Sequence, residues 1–211
     1  NSPTQPVIDT TGGQFGPFEG QMLIGEMNHP RILRVMLEEV DGAMQGAVTT
    51  LIDSSTAHDS RPLRIGNNRL AFGPDGTLWV GQTDHGWPGD QGLQRVRWTG
   101  GTPTEVAEMT LTTNGFDLHF TTPVQPETVR PDSAVQFTRY YYEYHQEYGS
   151  DQMDVQPVPV TDVEVSPDRR TVSVALGELV PGYVYQMDLH GVTAADGTPI
   201  AHPTLYYTLN R

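Results

Sequence analysis

The sequence predicts an all-β chain built in two parts, and three observations carry that expectation. A hairpin unit occurs twice in the first half of the chain. Gly 22 and Pro 17 with 36% hydrophobic residues is the composition of many short strands joined by turns, with helices scarce. The pattern changes at Gly100-Gly101-Thr102-Pro103, after which turn-separated strands alternate inward and outward residues.

The first copy of the unit runs Gly20-Gln21-Met22-Leu23-Ile24-Gly25-Glu26 and resumes at Ile32-Leu33-Arg34-Val35. The second runs Gly76-Thr77-Leu78-Trp79-Val80-Gly81-Gln82 and resumes at Leu93-Gln94-Arg95-Val96. Short-strand repeats spaced by roughly forty to fifty residues are the signature of β-propeller blades, which bury both faces only with neighbours. Two blades do not close a ring. The expectation is a partial β-propeller of about two blades over residues 1–101, partnered by upstream blades of the same precursor or of a separate chain.

Residues 1–18 are rich in Pro, Gly and Thr and read as an irregular approach to the first strand. Strands are expected at 21–25 and 32–37 around a turn carrying Asn28, His29 and Pro30, and at 48–52 beyond the Val40-Asp41-Gly42 turn. The polar stretch 53–68, with His58 and Asp59, is a long connection of the functional or flexible kind. In the second copy Pro74-Asp75-Gly76 makes a tight turn, because Pro presets φ, Asp bonds the backbone and Gly accepts positive φ. Residues 83–92 are an insertion before a strand at 93–98.

Over 102–211 seven strands are expected, at 106–111, 116–121, 135–145, 158–165, 171–176, 183–189 and 205–209, forming an Ig-like β-sandwich. Turns at Asn114-Gly115, Pro167-Asp168, Pro181-Gly182 and Asp196-Gly197 separate them. Alternation puts Val172, Val174 and Leu176 inward, and sets Tyr140, Tyr142 and Tyr144 on one face of 135–145. That tyrosine face reads as a surface for docking onto the propeller or for stacking on carbohydrate, docking being favoured by its place beside a domain boundary.

Acidic residues number 26 against 12 basic ones, all of them Arg, for a net charge of -14. Such a chain repels phosphate backbones and anionic lipid, which argues against nucleic acid and leaves neutral, cationic or locally Arg-held ligands. No run of apolar residues is long enough to span a membrane. The absence of Cys removes disulfides, thiolate metal sites and cysteine nucleophiles. No Ser-His-Asp grammar, Gly-rich phosphate loop or His-Glu-x-x-His zinc signature occurs.

His29 and His85 follow Asn28 and Asp84 at matching places in the two copies. One reading sets them on one rim of a pocket shared with Arg31, Arg69, Asp84 and Trp87, as proton shuttles or metal ligands and so as catalytic candidates. The other has each imidazole capping its own turn. Trp87 offers a ring face to a sugar or planar cofactor. Asp84 and Asp90 offer oxygen ligands to calcium, at a spacing that matches no recognised calcium loop.

The segment from Arg69 to Gly81, with its Gly73-Pro74-Asp75-Gly76 turn, resembles the last blades of the glucose/sorbosone dehydrogenase β-propeller family. Thr11-Gly12-Gly13-Gln14-Phe15-Gly16-Pro17-Phe18-Glu19-Gly20-Gln21 looks like the entry to a blade in large secreted bacterial relatives. In those relatives an Ig-like domain follows and ends much like Leu205-Tyr206-Tyr207-Thr208-Leu209-Asn210-Arg211, so the resemblance covers nearly the whole chain. It implies a secreted or periplasmic quinoprotein that oxidises a sugar or alcohol with pyrroloquinoline quinone and calcium. It also implies that Arg69 pairs with a cofactor carboxylate, a task suited to a planar fork of donors. The second Arg of the family pattern is Asn67 or Leu70 here. Arg31 and Trp87, from the shared-pocket reading, complete the cofactor-binding candidates. On this view the chain is inactive without the upstream blades. The alternative is a non-catalytic binding or scaffold module for glycan or protein, one proteolytic piece of a multi-chain assembly.

Overall fold

The computed structural model describes residues 2–55, 62–84, 89–131 and 133–210. The chain is all-β, and among the described residues the strands, 51% of the structure, form three sheets, none of them closed. Among the described residues the helical content is one 3-10 turn, Pro126–Thr128, and no helix is long and apolar enough to cross a membrane. Two compact units are present. Unit 1 comprises residues 1–36 and 48–102, and unit 2 comprises 37–47 and 103–211.

In unit 1, strands β1 (Pro3–Ile8), β2 (Met22–Glu26), β3 (Arg31–Val40) and β4 (Ala43–Asp53) lie side by side in that order. A second sheet holds β5 (Asn67–Phe72), β6 (Leu78–Gln82) and β7 (Gly92–Val96). Strand β1 corrects the irregular reading of residues 1–18. Its prolines are tolerated because β1 is an edge strand, and its register with β2 shifts between Pro3 and Pro6.

The sequence repeat is a structural repeat. Met22, Leu23, Ile24 and Gly25 pair with Val35, Arg34, Leu33 and Ile32. Leu78, Trp79, Val80 and Gly81 pair with Val96, Arg95, Gln94 and Leu93, the same register position for position. The two copies nevertheless bury opposite faces. Leu23 and Ile32 are 1% and 0% exposed, whereas their counterparts Trp79 and Leu93 are 37% and 61% exposed. Conversely Leu78 and Val80 are buried while Met22 and Ile24 are half-buried. One core receives Leu23 and Ile32 from the first sheet and Leu70, Leu78 and Val80 from the second. The sheets come closest at Gly25, where a Cβ would lie 2.3 Å from the Asn67 carbonyl oxygen and 2.7 Å from Thr4 Oγ1.

Unit 2 takes the tip of the β3–β4 hairpin, residues 37–47, together with residues 103–211. The tip turns at Asp41 and Gly42, with φ of 49° and 76°, the paired positive values of a tight hairpin turn. Beside β4 follow β15 (Thr204–Leu209), β14 (Tyr183–Asp188), β10 (Gln136–Tyr141) and β11 (Met153–Val158). The facing sheet runs β12 (Val160–Val165), β13 (Thr171–Leu176), β9 (Gly115–Phe120) and β8 (Val106–Thr112). Phe116 joins the two through Phe137, Tyr185 and Tyr207, at ring separations of 5.7, 6.0 and 4.8 Å. Val172, Val174 and Leu176 are buried, as their alternation required.

Two strand expectations change. The single strand expected at 158–165 is two, β11 and β12, and the chain passes from one sheet to the other at Pro159, which has no N–H to continue a ladder. The strand expected at 135–145 ends at Tyr141, whose partner Met153 opens β11. Past that pair the alternation lapses: Tyr140 is buried, while Tyr142 and Tyr144 are exposed.

Tyr207 fastens the hairpin tip within unit 2. Its hydroxyl accepts from Gln45 Nε2 at 2.7 Å and donates to Glu38 Oε1 at 2.5 Å. Glu38 Oε1 also accepts the Leu111 N–H at 2.8 Å, and Gln45 Oε1 accepts the Asn210 N–H at 2.9 Å. Burial, reinforced by the Glu38 carboxylate, pushes the Tyr207 hydroxyl above its ordinary pKa.

All 3 Trp residues fall in unit 1 and all 9 Tyr in unit 2, so Trp fluorescence and Tyr near-UV dichroism follow the two units separately. Gly25→Ala is expected to lower the Trp-detected urea midpoint more than the Tyr-detected one, because its Cβ meets backbone. Tyr207→Phe is expected to do the reverse, at about 1–2 kcal/mol for a lost buried hydrogen-bond partner. Equal shifts on both probes for either variant would contradict these assignments.

Candidate functional site

The candidate residues gather at one end of the unit 1 sheets, where β2, β4 and β6 finish and β3, β5 and β7 begin. Backbone bonds draw these ends together: Gly66 N–H to Met27 O at 2.8 Å, Thr83 N–H to Gly66 O at 2.9 Å, and Ser54 N–H to Pro30 O at 3.0 Å. Thr4 Oγ1 adds a bond to Asn67 O at 2.8 Å.

Glu26 is fully buried at the end of β2. Its Oε1 accepts the Ser2 N–H at 2.5 Å, and its Oε2 accepts the His29 N–H and lies 2.9 Å from His29 Nδ1. Burial is the largest influence on this carboxyl and raises its pKa, but the bonds from Ser2, His29 and Asn28 together hold it below the ordinary 4.5. With Glu26 ionised, Nδ1–H is the donor, and Nε2 lies away from that bond on a side chain 48% exposed. His29 therefore caps its own hairpin turn with one ring nitrogen and leaves the other outside that bond.

Arg31 directs Nε and Nη2 onto Asp53 Oδ2 at 2.9 and 2.6 Å. Burial raises the Asp53 pKa most, but hydrogen bonds from Ser55 and the Arg31 charge bring it below its ordinary value. The Arg31 fork is thus occupied by a carboxylate of its own chain. Arg69 differs. It is exposed, and among the described residues its hydrogen bonds run from Nη1 to the carbonyl and side-chain oxygens of its neighbour Asn68, with no carboxylate at ion-pair distance. It borders a groove of about 360 Å³ shared with Ser2, Pro3, Thr4, Met27, Asn68 and Thr83. The groove thus sets an exposed guanidinium, unpaired with any carboxylate among the described residues, beside both polar and apolar side chains, a geometry in which a ligand carboxylate can be received.

Asp84 and Asp90 serve the local chain. Asp84 Oδ2 accepts from Gln91 Nε2 at 2.7 Å, and Asp90 Oδ2 accepts the Ile65 N–H at 3.2 Å. Among the described residues no group of three or more His, Asp or Glu side chains is placed to hold a metal ion. His85, Trp87, His58 and Asp59 lie outside the described residues. The structure therefore joins His29 to Glu26 and Arg31 to Asp53, and sets Arg69 beside Thr4 and Thr83.

Glu26 and Asp53 were missed in the sequence. Glu26 had a signal: it takes the repeat place of Gln82, and each follows a glycine and is buried at a strand end. Asp53 had none beyond being acidic. No protein-family model, curated protein or solved structure matches this chain.

The folded-state pKa of Glu26 lies below its unfolded value. The stability it contributes is therefore fully present above about pH 4.5 and is lost as pH falls through the lower folded value. Glu26→Gln is expected to cost about 1.5–3 kcal/mol at pH 7 in Trp-detected urea titrations, the range for hydrogen bonds to a charged group. The gap from the parent protein should narrow toward pH 3, and a gap constant with pH would assign the stabilising charge elsewhere.

Proposed function

We propose that unit 1 is the C-terminal part of a β-propeller, followed by an Ig-like sandwich, and that its Arg69 groove forms one wall of a pocket for a carboxylate-bearing ligand. The observation that carries this reading is the burial of opposite faces by two copies of one repeat. The uncovered face of β5–β7 is the face with which β2 and β3 pack against the next sheet, so each sheet is built to be sandwiched between two like itself, as in a ring. The resemblance to the glucose/sorbosone dehydrogenase family gives the pocket its chemistry: oxidation of a sugar or alcohol by a secreted or periplasmic quinoprotein.

Pyrroloquinoline quinone fits the groove in one respect, since among the described residues no carboxylate lies at ion-pair distance from Arg69. The quinone, when bound, accepts two electrons from the alcohol. Within this chain Arg69 binds and orients a carboxylate, and His29, its Nδ1 turned to Glu26, keeps Nε2 for a proton. Among the described residues Asp84 and Asp90 are engaged with Gln91 and the Ile65 N–H, and no third carboxylate or imidazole joins them. The chain by itself is inactive, because two blades enclose no pocket.

A second reading, a non-catalytic propeller module that binds glycan or protein, draws support from Arg31, whose Nε and Nη2 are already engaged by Asp53. Titrating pyrroloquinoline quinone into the protein with its upstream blades, followed by cofactor absorbance, separates the two. On the first reading Arg69→Ala weakens binding about tenfold to a hundredfold, the worth of a charge-assisted hydrogen bond. Absence of binding at micromolar quinone leaves the non-catalytic module, and unchanged affinity in the variant returns Arg69 to a structural role.

A further inference from the structure

The loop joining β10 to β11, residues 142–152, carries aromatic side chains that neither sheet of unit 2 uses. Tyr144 and Tyr148 are 105% and 97% exposed, and Tyr142 is 53% exposed. Elsewhere in unit 2 tyrosines are spent on packing: Tyr185 and Tyr207 are buried against Phe116. The loop is held at its base and across its middle. Tyr142 packs edge-on to buried Tyr140 at 5.4 Å, Tyr141 packs edge-on to Tyr183 at 5.4 Å, and the Glu143 N–H donates to Ser150 Oγ at 3.0 Å. Gly149, at φ +84°, supplies the left-handed residue that turns the chain back. The result is a shallow concavity of about 460 Å³ lined by His145, Glu147, Tyr148, Gly149, Ser150 and Asp151.

We infer that this loop is a binding platform for neutral carbohydrate. A ring face offers a flat apolar area to the C–H face of a sugar and loses little conformational freedom in doing so. The carboxylates, imidazole and hydroxyl around the concavity meet the hydroxyl edge of the same sugar. Charge narrows the ligand class further. Glu143, Glu147 and Asp151, on a chain of net charge -14, repel uronate or sulfated glycans and nucleic acid.

The platform is independent of the Arg69 groove, and its test reads out separately. In native affinity electrophoresis of the full chain through gels cast with a soluble neutral β-glucan, xylan or galactomannan, at least one polysaccharide is expected to retard the protein. Tyr144→Ala combined with Tyr148→Ala should weaken retardation tenfold or more, whereas the paired Phe variants, which keep the ring faces, should migrate as the parent does. Both loop positions are solvent-exposed, and unchanged Tyr near-UV dichroism from the core establishes that the Ala variant is folded. No retardation by any of the three polysaccharides overturns the inference. So does equal retardation of parent and Ala variant, or stronger retardation by an anionic polysaccharide such as alginate.

Discussion

The rim of unit 1 depends on how closely two backbones approach. Gly25 in β2 and Asn67 in β5 are so near that no side chain fits between them, and the carbonyl of Asn67 is left to Thr4. From that approach follow the bonds of Gly66 to Met27 and of Thr83 to Gly66, and with them the alignment of the strand ends that carry His29, Arg31 and Arg69. A glycine there is a requirement of sheet-to-sheet distance rather than of backbone conformation. Polar chemistry is concentrated on the same end because strand termini release backbone groups that the ladder no longer satisfies, and Glu26 gathers two of them.

The repeat shows how one sequence pattern can serve two environments. In the first copy the face bearing Leu23 and Ile32 is inside, and Arg34 with it, stacked 3.9 Å from the Phe18 ring. In the second copy the same face carries Trp79, Leu93 and Arg95 and meets solvent. Nothing in the strand pairing differs, since the registers coincide. The difference lies wholly in which side a neighbour covers, and a strand apolar on both sides is what a stack of sheets demands of its members.

Much of this architecture was legible in the residues. The hairpins around Asn28 to Pro30 and Pro74 to Gly76 were read from turn chemistry, and the inward set Val172, Val174 and Leu176 from period-two alternation. What escaped had physical reasons. Strands β1 and β11 contain prolines, which count against a strand until it is known to lie at an edge. The membership of residues 37–47 in unit 2 rests on Gln45 and Glu38 meeting Tyr207, a pairing between distant polar side chains that no local pattern announces. At the site, Arg31 and Arg69 look alike in sequence. Only the position of Asp53 at the end of the neighbouring strand distinguishes an engaged guanidinium from an exposed one.

The hairpin tip also carries a consequence for how the chain is made. Gln45 and its partner Tyr207 are 162 positions apart, so at a synthesis rate of about 5–20 residues per second the tip emerges roughly eight to thirty seconds before the strand that completes it. Throughout that interval the outer edge of β4 offers unpaired backbone groups to any passing strand, the circumstance in which nascent β proteins aggregate. Glu38 and Glu39 in β3 and Asp41 in the turn place three carboxylates in the same hairpin tip, charged flanks of the kind that gatekeeper residues provide.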